Sequence, residues 1–328
     1  MKVLYVDLQY DYGIKERGKN IIGLDGFKKS FEVLGHEVVS FFYDEYLHNT
    51  KPMQDKLKFF ADQHSPDLIF FSLYQDQFTI ETLAYLKSKY TTINWFGDDT
   101  WRFDNFTYKY AKYFTYCVTT DKFSISKYKS IGQENVIYSQ WAAINEHSIP
   151  IFNGYKYDVS FVGGYHPYRK WFVDTLKSRG IKIEAFGKGW ENGSLDTKQM
   201  NELFISSKIN LNIGNSNSFD IRYLIQSWKA IRLFFKSQKN ASQIKARNFE
   251  IPYFNGFQLS DYIPSIEEYF DLGQELICYK DVDEAELLIN YYLKNEKERE
   301  KIKNTSHQKS LLNHGYIHRF QYILEQIK

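Results

Sequence analysis

Residues 245–262 read K-A-R-N-F-E-I-P-Y-F-N-G-F-Q-L-S-D-Y, and this stretch predicts a helix followed by a short strand. Lys245 and Arg247 stand at the start of the predicted helix, with Glu250 just behind them. The start of a helix attracts anions through its free N–H groups and its dipole. An added ammonium and a guanidinium group make it suitable for holding a diphosphate.

The same stretch leaves two interpretations of its acidic residue open. Glu250 comes three residues after Arg247 and so lies on the same helix face, where it can pair with the arginine or reach a ligand hydroxyl. The alternative is a surface helix whose ion pair has no function, since exposed pairs contribute little. Gly256 is predicted to end the helix, and residues 257–259 are predicted to form the strand.

Several short motifs in this region, taken in order, resemble a known family. They are K-x-R-x-F-E-I-P, D-Y-x-P, E-E-Y-F, G-x-E, Y-K-D, Y-Y-L-K-N-E-K-E-R-E-K-I and N-H-G-Y-x-H-R. The chain resembles the CgeB-like (spore-maturation-type) glycosyltransferases, a group within the family-1/4-type transferases. The resemblance is close over roughly the last 85 residues. Upstream it rests on N-W-F-G-D-D, S-F-V-G-G and S-K-I-N-L-N.

The resemblance implies an α/β protein of the GT-B fold, with two Rossmann-like domains that face each other across a cleft. The predicted boundaries are 1–150 for an N-terminal acceptor-side domain and 151–313 for a nucleotide-sugar-binding domain. Residues 314–328 resemble the terminal helix that returns to the first domain in this fold. A linker without periodicity is predicted at 145–157.

Composition and charge agree with a globular protein of this size. The 328 residues are 43% hydrophobic and 25% charged, which suits two domains with separate cores. The net charge of +2 gives no general attraction for nucleic acid, so no nucleic-acid partner is predicted. The two cysteines, Cys117 and Cys278, lie in predicted strands without metal-ligand spacing, which favours a reducing cytoplasmic location.

The first half of the sequence contains a candidate catalytic site at Gly97-Asp98-Asp99, directly after the predicted strand 93–96. Alternating strands and helices predict a parallel sheet, and ligands of such sheets gather beyond the carboxyl ends of the strands. Glycosyl transfer can require a carboxylate that takes the proton of the acceptor hydroxyl. Asp98 and Asp99 are therefore the candidate catalytic residues. The alternative is that one caps the next helix and the other is solvated.

A second Gly-containing turn is predicted to hold the donor. Gly163 and Gly164 follow the strand 157–162 and precede a helix with Arg169 in its first turn. This arrangement allows the backbone to approach a phosphate closely, although an ordinary tight turn has the same pattern.

The resemblance also assigns donor contacts. Glu250 resembles the first Glu of the E-x7-E motif of related retaining enzymes, in which it contacts the donor. The second Glu is replaced by Gln258, which can still accept a hydrogen bond but carries no charge. This departure leaves retention or inversion of stereochemistry open.

Residues 214–243 depart from the family pattern. Apolar residues recur there at helical spacing, and five basic residues outnumber Asp220 between positions 220 and 239. We interpret the segment as an inserted amphipathic helix that docks on an anionic membrane or on a partner protein. The alternative is that the apolar stripe packs onto the domain's own sheet or onto another subunit.

The sequence predicts no metal site and no cofactor. Asp281-Val282-Asp283 has the form of a D-x-D metal motif, but both carboxylates have a Glu three residues later, which predicts helix caps. No membrane-spanning run is present, so any membrane contact is predicted to be peripheral.

The predicted function is metal-independent transfer of a sugar from a nucleotide-diphospho-sugar to a hydroxyl of a glycan, a lipid-linked or a protein acceptor. A homo-oligomer is compatible with the sequence. Two alternatives stay open: a nucleotide-sugar epimerase on the same fold, and a non-catalytic carbohydrate-binding or assembly protein.

Overall fold

The computed structural model describes residues 1–145, 149–214, 218–226, 228–237, 239 and 241–327. The chain divides into two compact units. The first comprises Met1–Glu146 with Tyr316–Lys328, and the second comprises His147–Gly315. Each unit is built on a parallel sheet covered by helices, so the predicted α/β class is confirmed.

The first unit contains a six-stranded parallel sheet in the order β2-β1-β3-β4-β5-β6. Its strands read as almost continuous apolar runs because both faces are covered. Alternate residues of β1 enter different clusters: Leu4 and Val6 pack on one face, while Val3 and Tyr5 pack on the other. The strands are β1 Lys2–Asp7, β2 Glu37–Phe42, β3 Leu68–Phe71, β4 Thr91–Phe96, β5 Tyr116–Thr119 and β6 Val136–Tyr138.

The helices of the first unit connect these strands and cover both sides of the sheet. They are Ile22–Lys28, Lys29–Val33, Lys51–His64, Ile80–Lys89, Asp99–Arg102, Phe103–Thr107, Tyr108–Tyr110, Ile125–Ser130 and Tyr316–Gln326, with single turns at Asp11–Gly13, Lys15–Arg17, Asp44–Tyr46, Ala111–Tyr113 and Lys122–Ser124.

The C-terminal helix Tyr316–Gln326 forms part of the core of the first unit. Tyr316, Phe320 and Ile323 are buried in the cluster that also contains Phe27. The Tyr316 N–H donates to the Ala143 carbonyl at 2.9 Å, which holds the start of the helix against the chain that follows β6.

The second unit contains a five-stranded parallel sheet in the order β11-β10-β9-β7-β8. The strands are β7 Tyr157–Val162, β8 Ile183–Phe186, β9 Ser207–Asn212, β10 Gln258–Asp261 and β11 Ile277–Tyr279. The helices are Pro167–Ser178, Thr197–Ser206, Ile221–Leu224, Trp228–Lys236, Arg247–Tyr253, Val282–Lys294 and Glu296–Asn313, with a single turn at Ile266–Glu268.

The helix within residues 245–262 ends differently from the prediction. The helix ends at Tyr253, and Asn255, not Gly256, takes the left-handed conformation with φ 57°. Asparagine tolerates this region better than most residues. Gly256 is required for a different reason, because a Cβ there would lie 2.8 Å from the Asn210 side chain in β9. β10 begins at Gln258, one residue later than predicted.

The D-V-D motif is half as predicted. The Asp281 carboxylate caps the helix Val282–Lys294 by accepting from the N–H groups of Asp283 and Glu284, at 3.0 and 2.9 Å. Asp283 does not cap a helix, because its carboxylate pairs with the guanidinium groups of Arg179 and Arg222.

The segment predicted as one inserted helix contains two described helices, Ile221–Leu224 and Trp228–Lys236. Its apolar residues are divided between the core and the surface. Tyr223 and Ala230 are buried in the core of the second unit, whereas Trp228 and Phe235 are exposed. The stripe therefore does not pack onto the sheet as a whole.

Candidate functional site

The carboxyl edge of the second sheet carries most of the predicted donor-binding residues. Gly163 and Gly164 follow β7 there, and the guanidinium group of Arg169 connects their turn to the loop after β9. Arg169 donates to the carbonyls of Gly164, Ile213 and Gly214 at 3.1, 3.1 and 3.0 Å. The arginine thus holds two loops together and retains N–H groups beyond these three bonds.

The electrostatic surroundings place a second cation near Arg169. Burial is the main cause that lowers the pKa of Arg169, Asp261 opposes the shift, and the positive charge of Arg247 adds to it. Two guanidinium groups near one another attract an anion, and a diphosphate has the charge and the acceptors to satisfy both.

Two side-chain bonds connect the predicted cationic helix start to this edge. The Asn248 amide accepts from the Lys245 N–H at 3.0 Å through its oxygen and donates to the Ser260 hydroxyl at 3.2 Å through its nitrogen. Ser260 lies in β10, so the start of the helix Arg247–Tyr253 is joined directly to the sheet. The Lys245 ammonium donates to the Gln243 side chain at 3.2 Å.

Arg247 and Glu250 form an ion pair with 2.7 Å between Nη1 and Oε2. Their side chains are 24% and 13% exposed, so the pair is mostly buried and differs from the surface pair of the alternative interpretation. The guanidinium also contacts the Met200 sulfur at 2.6 Å and lies 5.3 Å from the centroid of the Phe204 ring. The ion pair and the packing against Met200 and Phe204 therefore orient the Arg247 side chain.

Asp261 is a residue of this edge that the sequence analysis missed. It is the last residue of β10, and its carboxylate accepts from the Gly214 N–H at 3.0 Å. It thereby holds the same loop that Arg169 holds. The available signal was a carboxylate just beyond the carboxyl end of a predicted strand, as at Asp98, because Asp261 comes two residues after the predicted strand 257–259.

The structure does not bring Gln258 to this edge. Gln258 is the first residue of β10, and Asp261 is the last, so roughly 10 Å of extended chain separates them. Its side chain is buried, and neither amide atom has a hydrogen-bond partner among the described residues.

His166 stands at the turn before the helix Pro167–Ser178 and was not among the predicted site residues. Its Nδ1 is buried without a hydrogen-bond partner within the described ranges. Burial lowers the pKa of His166, and the positive charges of Arg169 and Lys239 lower it further. A neutral imidazole beside the glycine turn can donate or accept a hydrogen bond.

The first unit has a pocket of its own at the carboxyl ends of β1, β3 and β4. Its volume is about 260 Å³, and both aromatic and polar residues line it. Among them are Asp7, Asn20, Trp95, Asp98, Arg102 and Trp141.

Asp98 is the predicted catalytic carboxylate that lines this pocket. It occupies the position before the helix Asp99–Arg102, but its side chain makes no capping hydrogen bond. Gly97 brings the Trp141 ring close to this point, because a Cβ on Gly97 would lie 2.4 Å from that ring. Asp98 therefore lines the pocket next to the Trp141 ring.

Asp99 lies in a different environment from its neighbour. It is buried and accepts hydrogen bonds from the hydroxyl groups of Thr107, Thr119 and Tyr128, at 2.7, 2.6 and 2.6 Å. Burial raises the pKa of Asp99 to about 6, although these three bonds oppose the shift. Its contacts connect three elements of the first unit, which is the arrangement of a structural carboxylate.

Asp7 is a second residue that the sequence analysis missed. It ends β1, lines the pocket, and accepts from the Tyr5 hydroxyl at 2.5 Å, the Leu8 N–H at 2.7 Å and the Asn20 amide at 3.2 Å. Burial raises the pKa of Asp7 to about 7, so it can exchange a proton near neutral pH.

Two absences hold for the described part of the chain. No group of three or more His, Cys, Asp or Glu side chains there is arranged to hold a metal ion. Within the same ranges, no helix combines the length and the apolar character needed to cross a membrane.

The chain is similar to known proteins in part of its sequence and in its fold. Residues 169–325 match the family model described as glycosyl transferase-like. The match begins at Arg169 and includes residues 245–262. A search of curated proteins gives no match.

Solved structures resemble the whole chain. Sucrose-phosphate synthase from Thermosynechococcus elongatus has a TM-score of 0.67 at 5% identity, with 100% of this chain and 99% of that chain covered. Anabaena HepE in complex with UDP and glucose has a TM-score of 0.63 at 13% identity, with the same coverage. T4 phage BGT in complex with UDP-glucose has a TM-score of 0.56 at 12% identity, with both chains covered completely.

The fold and the family model support the same class. Two parallel α/β sheets and full-length similarity to these structures show the GT-B fold. The family model adds a glycosyltransferase signature over the part that contains Arg169, Lys245 and Arg247, which we call the cationic edge of the second sheet. The predicted enzyme class, a glycosyltransferase of the GT-B type, is confirmed.

Proposed function

We propose that the protein transfers a sugar from a nucleotide-diphospho-sugar to an acceptor hydroxyl, and that the donor is a UDP-sugar. The carboxyl edge of the second sheet carries this proposal, because Arg169 contacts the Gly163-Gly164 turn there and the positive charge of Arg247 acts on Arg169. HepE and BGT, which share the fold, were solved with UDP or UDP-glucose.

The leaving diphosphate gains negative charge as the glycosidic bond breaks, and the enzyme must stabilise that charge. Lys245 and Arg247 supply the cations, and the N–H of Gly164 supplies a backbone donor. Glu250 then releases Arg247 to the phosphates and accepts from a donor hydroxyl. These roles are assigned by chemistry and by position at one edge of the sheet.

We propose that turnover is metal-independent. The cations of the sheet edge can perform the charge stabilisation that a divalent ion performs in other enzymes. The D-V-D motif supports this view, because Asp281 caps a helix and Asp283 is paired with Arg179 and Arg222.

We propose that the acceptor enters the pocket of the first unit and that Asp98 takes the proton of its hydroxyl. A volume of about 260 Å³ suits one sugar ring, and the aromatic and polar lining matches the two kinds of surface of such a ring. The acceptor can belong to a glycan, a lipid-linked sugar or a glycoprotein, and the CgeB-like subtype is part of the proposal.

The cytoplasm is the proposed location. Cys117 is buried, Cys278 is partly buried, and both are free thiols. Burial raises the pKa of both groups, which keeps them protonated and unreactive.

Incubation with UDP-sugars, with and without acceptor glycans, tests the function. A transferase releases UDP faster when the acceptor is added and forms a new glycoside. Conversion of the donor sugar without an acceptor would indicate an epimerase instead. Tight UDP binding without product in a broad acceptor panel would favour a binding protein.

A further inference from the structure

The second unit carries an exposed apolar surface that the transfer reaction does not use. Its members are large apolar residues in or next to the helices Ile221–Leu224 and Trp228–Lys236. Trp228 is 85% and Phe235 is 81% exposed. We call this surface the apolar patch, and it consists of Phe219, Ile221, Ile225, Trp228 and Phe235.

The apolar patch lies on an anchored scaffold. Tyr223 is buried and packs against the rings of Tyr168 and Trp171, with centroid distances of 5.3 and 5.9 Å. Ala230 is buried in the core on the opposite side of its helix from Trp228. The core thus holds one side of these helices and leaves the other side to solvent.

Basic side chains flank the apolar patch. Arg232 and Lys236 are exposed, lie one helical turn apart, and share the helix of Trp228 and Phe235. The one acidic residue of the sequence between 218 and 239 is Asp220, and Arg222 neutralises it at 2.7 Å. Arg222 also pairs with Asp283, so the positive charge beside the apolar patch comes from Arg232 and Lys236.

We propose that the apolar patch docks the enzyme on the surface of an anionic lipid bilayer. Exposed Trp and Phe beside Arg and Lys is the composition of helices that lie in the headgroup region of a membrane. Anionic lipids attract each basic residue near the surface by roughly 1 kcal/mol, which is about a fivefold effect on binding.

The basic residues beside the apolar patch disfavour a second copy of the chain as its occupant. In a two-fold dimer the same patch of both copies meets. The Arg232 and Lys236 side chains of the two copies would then approach one another, and like charges would oppose association. A lipid surface supplies the opposite charge and the apolar depth together.

Vesicle binding of the full chain tests the docking. We expect cosedimentation with vesicles of phosphatidylcholine and phosphatidylglycerol at low salt, weaker binding at high salt, and little binding to phosphatidylcholine alone. Tryptophan emission should shift to the blue on binding, because Trp228 moves from water into the headgroup region. The Trp228→Ser/Phe235→Ser variant should bind at least about tenfold more weakly, since two large apolar side chains no longer enter the interface.

Two matched controls make the result specific. Phe59→Ser removes an aromatic side chain that is 70% exposed in the first unit, and it should leave binding unchanged. Arg232→Gln/Lys236→Gln should weaken binding about 25-fold, by the fivefold effect for each charge. Lys297→Gln/Lys301→Gln removes the same charge at the same helical spacing elsewhere and should have a much smaller effect.

Three outcomes would overturn the proposal. The first is a parent protein that does not bind anionic vesicles. The second is a parent dimer that dissociates in the Trp228→Ser/Phe235→Ser variant, which would identify a second copy as the occupant. The third is a fall in the melting temperature of that variant by many degrees, which would show that these side chains are buried. UDP-sugar turnover in solution should be equal in parent and variant, so the docking and the proposed function fail separately.

Discussion

Arg247 Nη1 lies 2.7 Å from Glu250 Oε2 in a pair whose side chains are mostly buried at the cationic edge of the second sheet. Under the proposed function, a diphosphate takes over the guanidinium that Glu250 holds in this pair. We expect Arg247→Ala to weaken UDP binding by about 1.5–3 kcal/mol, the value of a charge-assisted hydrogen bond. Calorimetric titration measures this loss.

The control for that experiment is Arg179→Ala, which removes a paired arginine from the same unit. Arg179 contacts Asp283 and Glu286, and the donor-binding proposal gives it no role. UDP affinity should stay at the parent value. An Arg247→Ala variant that binds UDP as well as the parent would remove Arg247 from the donor site.

Chelation tests the proposed metal independence. We expect turnover to persist after EDTA treatment and dialysis, because Lys245, Arg247 and Arg169 supply the positive charge at the leaving group. Activity is measured by UDP release, with a known Mn²⁺-dependent transferase treated in parallel as the control. Activity that disappears with EDTA and returns with Mn²⁺ would refute the prediction.

The two neighbouring aspartates should respond differently to the same change. Asp98→Asn should lower kcat by about 10²–10⁴-fold and leave UDP affinity unchanged, as expected for loss of a general base. Asp99→Asn should lower the melting temperature, because three hydroxyl groups donate to its carboxylate. Steady-state kinetics and thermal unfolding of both variants provide the comparison. Full kcat in Asp98→Asn would place the base elsewhere.

The two glycines after β7 should also respond differently to substitution by alanine. A Cβ on Gly163 would lie 2.8 Å from the Phe161 ring, so Gly163→Ala should destabilise the protein by about 1–3 kcal/mol through overpacking. A Cβ on Gly164 would have nothing within 4 Å. Gly164→Ala should therefore keep the parent melting temperature and weaken UDP binding, because the methyl group would stand where the phosphate approaches. Unchanged UDP affinity would argue against that approach.

Asp7 should make folding stability depend on pH. Its pKa rises from 3.8 to about 7 on folding, mainly through burial. Between these values the folded protein holds a proton that the unfolded chain has released, so this contribution is complete below pH 3.8 and is lost as pH rises through about 7. The slope for this group is at most about 1.4 kcal/mol per pH unit.

The difference between parent and Asp7→Asn isolates this contribution. We expect the free energy of unfolding of the parent to fall relative to the variant between pH 4 and 7, as measured by denaturant titration at several pH values. Asp55→Asn, on an exposed helix surface, should parallel the parent. Parallel curves for parent and Asp7→Asn would show that Asp7 does not change its proton on folding.

The sequence predicted the architecture because its signals are local. Apolar runs and glycine turns specify strands such as β7, which has the predicted bounds 157–162. The hydrogen bonds between distant side chains and loops could not be predicted from these local signals. Arg169 reaches carbonyls 44 and 45 residues away, and Asn248 reaches Ser260 across a turn. Such contacts depend on strand order, which short motifs do not encode.

The prediction for Gln258 shows the same limit from the other direction. The spacing of the family motif identifies a position in the sequence, but the side chain at that position depends on where β10 begins. In this chain the strand begins at Gln258 itself, so the amide is buried at the end of β10 opposite to the cationic edge. Spacing alone does not specify that offset.

The helix Tyr316–Gln326 has a consequence for the order of folding on the ribosome. Its residues Tyr316, Phe320 and Ile323 complete a core whose other members, such as Phe27 and Phe31, are synthesised roughly 290 residues earlier. The first unit emerges first but cannot close its apolar core until the whole second unit has been made. Nascent chains therefore expose these aromatic residues during most of synthesis, the stage at which chaperones protect such surfaces from aggregation.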